Sequence, residues 1–186
     1  MNDKIYVFLA PGFEDIEMLG AVDVFRRAGL PVQTVSITDS LWVESSHYVN
    51  IEADLMFEDI NPDDAALLYL PGGMPGAANL KAHEGLAGLI QQHYEAGRPL
   101  AAICAAPMVY GQMGLLQGLQ ATCYPGFENK LTGANPTGEL VVCDGQFFLG
   151  KGPAAVLPLA YTIVAHFCGE EKAQAISQAM LFPELF

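Results

Sequence analysis
The chain repeats one pattern: a short apolar run, a Gly or Pro turn, then a stretch with helical spacing. Ile5–Leu9 reads as a buried strand, broken by Pro11-Gly12. From Glu14 to Ala28 the apolar positions recur with helical period. Acidic residues fill the first turn, where the helix dipole favours them, and Gly29 stops the run. The same reading gives strands at Val32–Ile37, Ala66–Leu70 and Leu100–Ile103, and a hairpin over Trp42–Asp54 around Ser45-Ser46-His47. Helices are expected at Leu86–Ala96 and Ala105–Met113. Two or three strands follow, near Thr122, at Leu140–Cys143 and at Phe147–Leu149, and the C-terminal stretches Ala155–Cys168 and Glu170–Met180 read as helical. Strands alternating with helices predict an α/β fold with a mostly parallel sheet covered by helices on both faces. With 186 residues and no internal repeat or linker, one domain over 1–186 is expected.

Charge narrows the function. There are 21 acidic residues against 8 Lys and Arg, a formal charge of −13. Nucleic-acid binding needs clustered basic residues, and so does a polybasic membrane anchor, so neither partner is expected. No apolar run approaches the ~20 residues of a membrane span, and the N-terminal run is too short for a signal peptide. The four cysteines have no metal-like spacing, which predicts a reduced, cytoplasmic protein with no metal site.

In an open parallel sheet, ligands bind beyond the carboxyl ends of the strands. Three turns belong there: Pro11-Gly12, Pro71-Gly72-Gly73 and the one at Cys104. At Cys104 an apolar strand meets a helix at once, because Pro107 fits only a first helical turn. That sharp turn has the form of a nucleophile elbow, and a helix N-terminus there would favour the thiolate. The competing reading is a small buried hydrophobe. Glu17 shares a helix face with Ala21, Val24 and Ala28. Half burial would raise its pKa and make it a proton carrier, whereas an ordinary exposed Glu near a helix start is the plainer reading. Gly72-Gly73 permits close backbone approach and could present N–H groups to an oxyanion, or be only a tight turn. No histidine directly follows Cys104, and the phosphate-binding and dinucleotide-binding glycine motifs are absent.

Together, Pro11-Gly-Phe-Glu-Asp-Ile-Glu17, Val22-Asp-Val-Phe-Arg-Arg-Ala-Gly29, Leu70-Pro-Gly-Gly73 with Asn79-Leu80, Ala101-Ala-Ile-Cys-Ala-Ala-Pro107 and Gly152-Pro153 resemble the ThiJ/PfpI superfamily. The nearest branch is the small one that contains the parkinsonism-associated deglycase. The resemblance implies a flavodoxin-like three-layer sandwich and a homodimer, with the first helix in the interface. It implies that Cys104 is the reactive residue, that Glu17 is a buried, protonated acid beside it, and that Gly73 and Ala105 are backbone oxyanion donors. Gly72, Gly152 and Pro153 would line the pocket.

The implied activity is a cofactor-independent deglycase or glyoxalase acting on methylglyoxal-like carbonyls or glycated protein side chains. The rival is an oxidation-sensing stress protein whose Cys104 forms a Glu-stabilised sulfinate, with chaperone-like binding as a third class. Two positions depart from the pattern. Tyr124 stands where deglycase-like members carry His, and His47 where they carry Arg. Ala105 replaces the His of the protease-like branch, which disfavours peptidase activity. The net charge of −13 favours a small neutral electrophile over an anion.

Overall fold
The computed structural model describes residues 4–185; the remaining termini of the expected 1–186 domain lie outside the described residues. Among the described residues, eleven strands and six α-helices follow in chain order. They are β1 (Lys4–Leu9), α1 (Asp15–Ala28), β2 (Val32–Ser36), β3 (Trp42–Glu44), β4 (Asn50–Glu52), β5 (Leu55–Met56), β6 (Ala65–Leu70), α2 (Gly76–Ala82) and α3 (Glu84–Glu95). Then come β7 (Leu100–Ile103), α4 (Pro107–Gln112), β8 (Gln120–Ala121), β9 (Asn135–Pro136), β10 (Val141–Asp144), β11 (Phe147–Gly150), α5 (Val156–Cys168) and α6 (Glu170–Ala179).

Seven strands form one sheet in the order β10-β11-β7-β6-β1-β2-β5. All neighbours in it are parallel except β10 and β11. Successive strand residues point to opposite faces, and both faces are buried. Thus Ile5, Val7 and Leu9 join one apolar core with α1, α5 and α6. Tyr6, Phe8 and Ala10 join the other, with α2, α3 and α4. This is the expected three-layer α/β arrangement, and it explains why the strand runs carry no hydrophobic alternation.

The chain builds outward from β1 through β2 to β5, then returns to the other side of β1 with β6, β7 and β11. The reversal between β1 and β6 opens a crevice at their carboxyl ends. Their following turns, Pro11-Gly12 and Pro71-Gly72-Gly73, both lead there.

Some local expectations are corrected. The segment after Cys104 does not become helical at once: Cys104–Ala106 form a turn, and α4 starts at Pro107. The proline does sit at the first helical position, as its missing N–H requires. Helix α2 and strands β5 and β9 carry no clear sequence signal. Only Gly76, Ala77 and Leu80 of α2 are buried, too thin an apolar stripe to mark a helix. The β3–β4 hairpin forms as expected, with Trp42 opposite Glu52, and Ser45 bridges from its turn to Phe13 just ahead of α1.

Candidate active site
Cys104 follows directly after β7 with φ 63°, a left-handed conformation unusual for a residue with a side chain. Strain of this kind is what an elbow imposes. The backbone is pinned on two sides: the Cys104 N–H donates to the Gly150 carbonyl at 2.9 Å, and its carbonyl accepts from Tyr124 N–H at 2.8 Å. Only 8% of the residue is exposed.

Glu17 is fully buried in the first turn of α1. Two hydrogen bonds fix that turn. The Glu14 carboxylate caps the Glu17 N–H at 2.7 Å, and the Tyr69 hydroxyl donates to the Glu17 carbonyl at 3.0 Å. The side-chain Oε2 accepts the Gly72 N–H at 2.8 Å. Gly72 itself is squeezed between the two functional groups. A Cβ built there would lie 2.7 Å from the Cys104 Cβ and 2.7 Å from Glu17 Oε2, so no larger residue fits. Gly73 has φ +85°, and a Cβ on it would come within 2.5 Å of both Glu14 N and the Gly12 carbonyl oxygen. These two glycines allow the β6 turn to seat on α1 and bring acid and thiol together.

Burial is the main force on the Glu17 carboxyl and raises it to about 7; the Cys104 thiol pulls it the other way, and Glu14's charge pushes it further up. The thiol is pushed up to about 12, first by burial and then by the Glu17 carboxylate, while the N–H groups of Gly73 and Ala105 favour the thiolate. The helix-start effect expected from the sequence is therefore outweighed. Acid and thiol influence each other's titration, and Glu17 Oε1 is buried without a hydrogen-bond partner. The site thus places an acid raised toward neutrality beside a thiol that two backbone donors also face.

A model of the DJ-1/PfpI family matches residues 3–166. The chain belongs to the DJ-1/PfpI family. Among DJ-1/PfpI relatives, the Arabidopsis thaliana protein named DJ-1 homolog B is 35% identical over 176 residues, covering 94% of this chain and 40% of its own length. The chain thus spans less than half of that relative. A Pyrococcus abyssi protein named a deglycase is 27% identical over 81% of this chain and 90% of its own. The solved structure of oxidized Toxoplasma gondii DJ-1 superposes with a TM-score of 0.91 at 29% identity, covering 96% of this chain and 98% of that one.

The site residues expected in a DJ-1/PfpI chain divide into three groups. Cys104, Glu17, Gly72, Gly73 and Ala105 converge on the sulfur. Tyr124, Gly152 and Pro153 line an adjoining cleft of about 220 Å³. His47, with 68% of its side chain exposed, is hydrogen-bonded through Nδ1 to Asp15 Oδ2 at 2.7 Å rather than to the thiol pair. That carboxylate raises the imidazole pKa. Glu14, Asp15 and His47 each bring one potential metal-ligand atom within 4.8 Å of the others. These groups are already engaged, in the helix cap and in the His47–Asp15 contact.

Sequence reasoning passed over Tyr69 and Asp15. A tyrosine in the apolar run Ala65–Leu70 signals that a buried hydroxyl needs an acceptor, here the Glu17 carbonyl. Asp15 carries no comparable signal, because its partner comes from a distant hairpin. A larger cavity of about 500 Å³ lies beside α5 and α6, lined in part by Cys143 and His166. Burial raises the Cys143 thiol and no neighbouring group lowers it, so that cavity lacks the paired chemistry found at Cys104.

Proposed function
We propose that this protein is a cofactor-independent, cysteine-dependent enzyme of the deglycase or glyoxalase type. Its substrates are methylglyoxal-like carbonyls or their adducts on protein side chains. The observation that carries the reading is the buried Glu17 carboxyl beside a thiol that two backbone N–H groups also face. The name of the Pyrococcus abyssi relative supports it.

The chemistry balances without an oxidant. The Cys104 thiol passes its proton to Glu17 as sulfur adds to the aldehyde carbon. The Gly73 and Ala105 N–H groups hold the developing oxyanion, and Glu17 returns the proton. Proton transfer from the former aldehyde carbon to the neighbouring carbonyl then oxidises the first and reduces the second. Water releases a 2-hydroxy acid and restores the thiol. The test is lactate release from methylglyoxal. The wild type is expected to be active and Cys104→Ser to fall to background; equal, near-zero rates in both would overturn the reading.

A second reading, reversible oxidation of Cys104 to sulfenate and then sulfinate, is favoured by the same two N–H donors and by a carboxyl that can stay neutral beside an anion. The solved structure of the Toxoplasma gondii relative in an oxidized form supports it. We further propose a homodimer through α1. Ile16 and Leu19 on that helix and Tyr48 and Val49 on the adjoining hairpin are large apolar side chains left exposed. Sedimentation should then report twice the chain mass of 19.9 kDa; a species of single-chain mass would refute this interface.

A further inference from the structure
The cleft whose walls are hydrogen-bonded to the Cys104 backbone has a chemical character of its own. Tyr124, Pro125, Leu140, Gly152, Pro153 and Ala154 supply its walls. Lys151, the charged side chain in the lining, has its ammonium turned to the Gly138 carbonyl at 2.7 Å. Tyr124 and Leu140 leave 47% and 45% of their surfaces open. Both walls are tied to the nucleophile's backbone: Tyr124 N–H bonds the Cys104 carbonyl, and the β11 strand that leads to Gly152 accepts the Cys104 N–H at Gly150.

Gly152 is extended, at φ 175°, so its backbone would tolerate a side chain. Space is what it provides. A Cβ there would come within 3.2 Å of Tyr124 Cδ2, so the glycine lets the tyrosine ring approach that wall closely. At about 220 Å³ the cleft is smaller than the roughly 300 Å³ at which pockets hold a drug-sized ligand. It matches a single ring or a short branched chain.

We propose that this cleft is a specificity subsite for an uncharged aryl or branched-alkyl group on the carbonyl that Cys104 attacks, with Tyr124 and Leu140 as the selecting residues. The proposal rests on reading Cys104 as a carbonyl-directed nucleophile, and its test does not require turnover. Cys104 would be alkylated with chloroacetone or with 2-chloroacetophenone. The sulfur forms a C–S bond to the methylene carbon, the C–Cl bond breaks, chloride leaves, and the thiol proton passes to solvent. Rates would be followed by mass spectrometry of the Cys104 peptide and divided by those for free glutathione.

The aryl reagent should be favoured at least about tenfold in the normalised ratio. Leu140→Ser, on the exposed rim, and Tyr124→Ala should each bring the ratio back toward one. A normalised ratio near one in the wild type, or a preference that both variants retain, would overturn the subsite. Aryl preference in a protein that releases no lactate would sustain the subsite while removing the catalytic reading above.

Discussion

Glu17→Gln is expected to make Cys104 easier to ionise and yet to slow turnover of methylglyoxal by about a hundredfold. The glutamine keeps an oxygen for the Gly72 N–H but carries no charge. Burial is the larger reason why the thiol sits near 12, and removing the carboxylate takes away the second, so the pH midpoint for thiolate formation should fall. Thiolate absorbance or the pH profile of alkylation reads that midpoint. Turnover falls because the variant has no group to carry the proton between sulfur and substrate. A merely structural Glu17 would slow turnover while leaving the midpoint where it is, so an unchanged midpoint would exclude the coupling.

The same substitution has a thermodynamic signature. Glu17 sits at about 7 in the folded protein against an ordinary 4.5, so the folded state binds more protons between those values. Its contribution is fully present below pH 4.5 and is lost as pH rises through 7. The stability of wild type relative to Glu17→Gln should therefore drop by on the order of 3 kcal/mol across that window. Urea denaturation at pH 4.5 and pH 8 measures it, and parallel curves would contradict the folded-state shift.

Gly73→Ala should be the most damaging methyl group that can be added near the site. The left-handed backbone penalises any Cβ, and this one would also meet the Glu14 nitrogen and the Gly12 carbonyl at 2.5 Å. Both obstacles are main chain and cannot swing aside. A loss of about 3 kcal/mol is expected, read as a lower urea midpoint with an unchanged slope. Survivors should also lose Cys104 reactivity, because the displaced turn carries one of the N–H donors. A variant as stable as the parent would mean that the β6 turn can move away from α1.

These two sites differ in how much the sequence discloses. The elbow was readable because Pro107 leaves so little chain between strand and helix, although it wrongly suggested that the helix begins before the proline. Glu17 was harder. An acidic residue in a first helical turn is ordinarily solvated, and what buries this one is the Gly72 turn, 55 residues away. The Ala21, Val24 and Ala28 stripe hinted at burial, but only the fold could supply the lid. His47 shows the reverse case. Its position in the motif pattern pointed to the pocket, while its strongest contact is to Asp15. The thiol's upward shift was equally hidden, since a local helix-start argument contains no knowledge of a buried carboxylate.

The two margins of the seven-stranded sheet have a consequence for how copies of this chain meet. One margin is β5, two residues long, and the other is β10, the antiparallel partner of β11. β10 carries Asp144, whose carboxylate is tied to the Gln120 N–H at 2.8 Å. Neither margin offers the long, flat row of unpaired peptide groups that recruits a foreign strand into runaway cross-β stacking. A net charge of −13 adds long-range repulsion between copies, so ribbon-like polymerisation is disfavoured both at the sheet margins and at a distance.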